Sequence, residues 1–201
     1  MTVCARRPRR HTVRLVMLRK LLSSVASPSI GQGAIAPAAG PETIRIRPIR
    51  PSDLELERRF VHGLSARSRY LRLLSGRSLQ PGELERWTNV DPCCEIALIA
   101  LASEAGREEE VGVARCVVED SVEGRWDFAI VIADDWQRRG LGETLLRRLI
   151  QAATAAGVVT LGGITLAENR GMLALAKKLG FSVRREDGDA TLMRLELQLR
   201  A

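Results

Sequence analysis

Residues 126–156 read WDFAIVIADDWQRRGLGETLLRRLIQAATAA, and no other stretch constrains the fold as strongly. A short run of apolar, β-branched residues ends at two acids and a Trp. Two glycines and two arginines then precede a segment whose Leu141, Leu145, Leu149 and Ala152 recur at helical spacing. This is a buried strand feeding a helix through a tight turn. A segment of that kind needs partner strands, and a sheet covered by helices, to bury it.

The remainder of the chain supplies them. TIRIRPI, residues 43–49, alternates apolar and polar residues and reads as a first strand. Ser52 with Glu55 forms a capping-box signature for a helix over 53–63, and ARSRYLRLL and PGELERW read as two more helices. EIALIALA is a strand, REEE a solvated turn, and EVGVARCVVE and GRWDFAIVIA complete an antiparallel meander. After the long helix come a strand in VVTLGGIT, a helix in ENRGMLALAKKLG, and two strands around FSVRRE and TLMRLELQL. Strands first and a crossover helix later predict an α/β (α+β) domain, with a mixed, mostly antiparallel sheet of six to seven strands flanked by helices.

The chain has 201 residues, enough for one well-buried domain, and a formal charge of +7. The charge lies in one place. Residues 1–41 hold seven Arg and Lys and no acid, which leaves 31 − 7 = 24 basic against 24 acidic residues from Glu42 onward. The domain, 42–201, is therefore neutral, and the basic balance does not argue for specific nucleic-acid binding. Residues 1–41 are also rich in Ala, Ser, Gly and Pro without periodicity and read as a disordered basic tail. An acid-free, Arg- and Ser-containing amino terminus fits a transit peptide too, and Met17 is an alternative start. No signal-like apolar segment and no run of about 18 apolar residues occurs, so neither secretion nor a membrane span is expected. With 28 Arg against 3 Lys the composition resembles that of a GC-rich genome, and a bacterial cytoplasmic protein is the expectation.

Cys4, Cys93, Cys94 and Cys116 contain no C-x-x-C pair, and adjacent Cys93 and Cys94 do not form an unstrained disulfide. His11 and His62 have no metal-ligand spacing, so no metal site is expected, and His62 reads as a surface or packing residue and not as a base.

The turn carries chemistry. Gln137, Gly140 and Gly142 spell Q-x-x-G-x-G at the first turn of a helix, where glycines let the backbone approach an anion and free N–H groups stabilise its charge. Arg138 and Arg139 add positive charge. A plain tight turn is the alternative. No G-x-x-x-x-G-K-[ST] occurs, and a dinucleotide fingerprint belongs at the first βα turn of a parallel sheet, not after a meander.

Taken with ENRGMLALAKKLGF, this segment resembles the GNAT superfamily of N-acetyltransferases over residues 42–199. RPIRPSDLELERRFVHGLSARSRYLRLL is similar, more narrowly, to the acetyltransferase domain of bacterial protein lysine acetyltransferases that act on acyl-CoA synthetases. The resemblance implies the GNAT fold, its sheet splayed at a cleft for the co-substrate acetyl-CoA. It assigns the backbone of Ile130, Val131 and Ile132 to the pantetheine arm and the turn Gln137, Arg138, Arg139, Gly140, Leu141, Gly142 to the pyrophosphate. Asn169 falls where the family's Asn contacts the cofactor arm; helix capping is its other reading.

Transfer to an amine requires the amine to be neutral, and a lysine ammonium has a reference pKa of about 10.4. Asp127 is the candidate general base, directly or through a water: related enzymes carry a Glu in this strand, and Asp127 shares a face with Ala129 and Val131 in an apolar segment. A salt bridge to Arg115 or Arg125 is the alternative. Many relatives use a Tyr to protonate the departing thiolate; the matching position is Ala176. The implied activity is an acetyl-CoA-dependent N-acetyltransferase whose acceptor is a protein lysine, for example on an acyl-CoA synthetase. A small-amine acetyltransferase and a non-catalytic acyl-CoA-sensing module are the alternatives.

Overall fold

The computed structural model describes residues 33–35, 43–73, 79–104, 107–119 and 124–199. One eight-stranded sheet, ordered β1-β2-β3-β4-β5-β6-β8-β7, organises them. Its strands are β1 (Gly33–Ile35), β2 (Thr43–Pro48), β3 (Glu95–Glu104), β4 (Arg107–Val118), β5 (Arg125–Ile132), β6 (Thr160–Leu166), β7 (Ser182–Glu186) and β8 (Asp189–Gln198). Every adjacent pair is antiparallel except β5 and β6. Seven strands match the expected sheet. The eighth, β1, comes from the segment read as disordered and adds to the free edge of β2; the rest of that segment, with Cys4 and His11, lies outside the described residues.

Alternation along β5 sends its side chains to two cores. Trp126, Phe128, Ile130 and Ile132 pack with α4 (Leu141–Ala155) and α5 (Arg170–Lys178), alongside Leu145, Leu146, Leu149 and Ala176. Val131 faces the other way, with Ile99, Leu101 and Val113, beneath α1 (Leu54–Gly63) and α3 (Glu83–Thr88), which contribute Phe60 and Trp87. A third short helix on that side, α2 (Ala66–Leu73), reaches β5. Leu145, Leu146 and Leu149 are 0% exposed, so the helical spacing read in the sequence is the buried stripe of α4.

Two local expectations change. REEE is not a turn: Arg107–Val118 is one strand, with a register shift at Ala100/Leu101 that puts Leu101 opposite Glu110 and Ala100 opposite Gly112. A bulge turns Glu110 inward instead of letting the acidic run stay solvated. Nor do Ser52 and Glu55 form a capping box. Asp53 does the capping, accepting from the Arg50 N–H at 2.7 Å while both its oxygens pair with buried Arg47 at 2.7 Å. Sequence spacing favoured Ser52, but a carboxylate that also neutralises a buried guanidinium is the better acceptor.

Candidate active site

The parallel strands β5 and β6 pair only through Arg125–Asp127 and Thr160–Gly162, and beyond those residues both continue without pairing to each other. The sheet opens there into a cleft. Ala133 donates its N–H to Val111 and Glu119 donates to the Arg125 carbonyl, both across the β4 side. Backbone polarity alternates, so the amides of Val131 and Ala129 also face β4, whereas those of Ile130 and Ile132 face the opening. Val131, grouped with its neighbours on sequence, thus turns its amide away from the cleft and buries its side chain against α1.

At the end of β5 the chain makes a 3-10 turn over Asp134–Trp136 and enters the Gly-rich loop. Arg138 (φ 59°) and Gly140 (φ 84°) both take left-handed backbone, which folds the loop over the amino terminus of α4. Among the described residues none accepts a hydrogen bond from the main-chain N–H groups of Arg138 through Glu143; Thr144 is the first residue to bond, to Gly140. An array of free donors on a helix dipole suits an anion. Gly140 has open space where a Cβ would stand, so its requirement is conformational. At Gly142 a Cβ would meet Ile132 and Leu175 at 3.6 and 3.7 Å, an ordinary contact.

The side chains around the loop hold it in place. Gln137 donates to the Ile132 carbonyl at 3.1 Å and to Ser68 Oγ at 3.2 Å. Asp134 accepts from Ser65 N–H at 2.9 Å and from the Ser65 and Ser68 hydroxyls at 2.8 Å, which secures the start of α2. Arg139 stands 5.2 Å from the Trp136 ring centre, in cation–π contact. Asn169 caps α5, its Oδ1 accepting from Met172 N–H at 3.1 Å while Nδ2 donates to Thr165 Oγ1 at 3.0 Å. The capping alternative therefore accounts for its contacts.

Asp127 lies on the side of the sheet that carries α1, α2 and α3, near the mouth of the cleft, with 34% of its side chain exposed. Arg125 Nη2 is 3.2 Å from Asp127 Oδ1, and the other end of that guanidinium grips Glu196 on β8. Of the two salt bridges considered, the one to Arg125 forms; Arg115 pairs with Glu95 at 2.9 Å. Burial pushes the Asp127 carboxyl above its ordinary range; Arg125 opposes that, and a hydrogen bond shared with Glu119 adds to it. Gly162 makes this arrangement possible: a Cβ there would lie 2.1 Å from Arg125 Nη2 and 2.6 Å from Asp127 Oδ1. At Gly163 a Cβ would lie 2.8 Å from the Phe128 ring, on the opposite face. Sequence reasoning passed over Ser65, Ser68, Glu119, Glu196 and Gly162, although paired glycines inside a strand are a readable sign of close approach.

Ala176, the position of the missing Tyr, is 0% exposed within the core. Tyr70 on α2 is exposed. His62 is a surface residue whose Nδ1 contacts the Arg58 carbonyl at 2.7 Å. Cys93, Cys94 and Cys116 are free thiols. Among the described residues, no group of three His, Cys, Asp or Glu side chains is placed to hold a metal, and no helix is long and apolar enough to cross a membrane.

Comparison with known proteins agrees with this geometry. Acetyltransferase PA5475 of Pseudomonas aeruginosa is 36% identical over 149 residues, covering 74% of this chain and 80% of that protein. The GNAT domain of S. lividans PAT superposes with a TM-score of 0.74 at 23% identity, covering 86% of this chain and 99% of that domain. The structure of yncA from Salmonella typhimurium with its cofactor acetyl-CoA superposes with a TM-score of 0.63 at 20% identity, covering 79% and 95%. The model of the family described as "Acetyltransferase (GNAT) domain" matches residues 43–182, and the chain, with its splayed β5–β6 pair and donor-lined loop, belongs to that family.

Proposed function

We propose that this GNAT acetyltransferase uses acetyl-CoA to acetylate an amine directly, and that the amine is a protein lysine. The observation that carries the proposal is the placement of Asp127 at the point where β5 and β6 part. Three residues further along β5, about 10 Å at strand rise, Ile130 presents the first of the unpaired edge amides. One strand thus offers a proton acceptor and, beyond it, a hydrogen-bonding edge.

The residues present fit an acyl-CoA. Ile130 and Ile132 offer amides to the pantetheine arm, and the free N–H groups from Arg138 to Glu143 offer donors to the pyrophosphate. Gln137 shapes the loop through Ser68 and the Ile132 carbonyl. Bound acetyl-CoA supplies the activated acetyl group. The chain's residues must deliver a neutral amine, and in this reading an edge N–H of β5 stabilises charge on the thioester oxygen. Asp127, held above its usual range by burial, is a better proton acceptor for an ammonium than an ordinary carboxylate. A water relays the proton where the Asp side chain falls short. No protein acid is required for the departing thiolate, whose reference pKa is about 8.5, and Ala176 supplies none.

The lysine acceptor is supported by the surface around Asp127. Val117, its cross-strand partner on β4, and Ile164 on β6 are each 37% exposed on the same face. Together they provide apolar contact for an aliphatic stem ending in an amine at the carboxylate. Mass spectrometry of a lysate incubated with the protein and labelled acetyl-CoA tests the proposal. Labelled lysines support it; a labelled metabolite without labelled protein would replace it with a small-amine acceptor, and no label at all would favour a sensing role.

A further inference from the structure

The Arg125 guanidinium is shared between two carboxylates on different strands. It contacts Glu196 on β8 more tightly than Asp127 on its own strand, where the distance is 3.2 Å. Its side chain is 8% exposed and crosses β6 at Gly162, the one place in that row where the absence of a Cβ leaves room. Asp127, Gly162 and Glu196 are register partners across three strands, so this bridge is built into the pairing of the sheet. Glu196 is itself held from behind by Arg184 on β7 at 3.1 Å.

We infer that Glu196 is a positioning residue: by drawing the Arg125 guanidinium across Gly162, it limits how closely that positive charge reaches Asp127 and so preserves the carboxylate as a proton acceptor. The inference rests on the assignment of Asp127 as the base. Of the two carboxylates that bridge Arg125, loss of Glu196 leaves Asp127. A full cation–carboxylate pair stabilises the ionised form and makes a poor base. The other charged groups acting on Asp127 are Glu119 at the end of β4, which shares a hydrogen bond with it, and Arg194 on β8, which is paired with Glu186. Arg194 is thus already occupied, and Glu119 acts in the same direction as Glu196. Arg125 is the cation free to move toward Asp127.

Carbon-13 NMR titration of the Asp127 carboxyl in the full chain reads the effect without needing the acceptor. E196Q is expected to lower the Asp127 midpoint by about one pH unit, and R125Q to raise it by a similar amount, the size expected for one nearby charge. E196D, which keeps the charge, should hold the midpoint near the wild-type value, and E186Q, which releases Arg194 from its partner, should lower it by less than E196Q does. Opposite displacements by two variants of one ion pair are not produced by general loosening of the sheet. An unmoved or raised midpoint in E196Q overturns the inference; should E196Q fail to fold, an R125Q midpoint that does not rise does the same. Turnover measured in parallel for D127N separates the two levels: wild-type rates there remove Asp127 as base even when the titrations shift as described.

Discussion

The Asp134 carboxylate receives the main-chain N–H of Ser65 at 2.9 Å, joining the end of the cleft strand to the first turn of a helix 69 residues earlier in the chain. The Ser65 and Ser68 hydroxyls complete the clasp. The start of the Gly-rich loop and the start of α2 are thus one mechanical unit. Burial raises the Asp134 carboxyl, but the hydrogen bonds from Ser65 and Ser68 outweigh it and hold the group below its ordinary range.

Removing that clasp with Asp134→Ala should cost about 1 kcal/mol, as loss of a helix cap does, and raise the KM for acetyl-CoA. Thermal unfolding and steady-state kinetics check the two parts. Because the folded-state pKa is depressed, the contribution of Asp134 is present above the unfolded value near 3.9 and is lost as pH falls below it. The difference between variant and wild type should therefore shrink on acidification below about pH 4.

Asp127→Asn should lower kcat by roughly 10²-fold while leaving acetyl-CoA affinity nearly unchanged, since a general base acts on the amine and not on cofactor binding. In the wild type kcat/KM should rise with pH through the elevated Asp127 titration, because only the ionised carboxylate accepts a proton. That limb should be absent in the variant, as a pH–rate series would show.

The two loop glycines should respond differently. Gly140→Ala forces a side chain into left-handed backbone at φ 84° and should cost about 1–2 kcal/mol and weaken acetyl-CoA binding, although open space surrounds it. Gly142→Ala meets only ordinary contacts and should be mild, whereas Gly142→Leu must displace Ile132 or Leu175. Calorimetric binding of CoA alongside melting curves distinguishes strain from obstruction.

Beneath α1, Glu57 and Glu110 are 1% and 2% exposed, and among the described residues no donor reaches Glu57 Oε2 or either Glu110 oxygen. Burial, then the Glu57 carboxyl, push Glu110 up to about 10. An acid raised on folding costs stability as pH climbs from its unfolded value toward its folded one. Glu110→Gln should therefore raise the melting temperature by about 2–4 °C at pH 8 and change it little at pH 4.

Installing a tyrosine at Ala176, the position that the family resemblance assigns to a general acid, should not create one. Ala176 is enclosed by the α4–α5 core, so Ala176→Tyr should destabilise by about 1–3 kcal/mol or more through overpacking, with no gain in kcat. Thermal melts and turnover measured on the same preparation decide it.

Much of this was readable in one dimension. The period of Leu141, Leu145 and Leu149 determined a buried helix face, the apolar run of β5 determined a central strand, and Q-x-x-G-x-G after that strand determined a loop of free donors, because each depends on neighbours within a few residues. The alternation of β5 also put Asp127 on the face opposite Phe128. What only the tertiary structure decided depends on pairing across the sheet. The register of β5 against β4 turned the Val131 amide from the cleft, and the bulge at Glu110 converted an acidic run into a buried carboxyl. Glu196 came within reach of Arg125 from 71 residues away because Gly162 leaves room between them. Local periodicity specifies which face a side chain takes; register and the absence of a Cβ specify which distant charge it meets there.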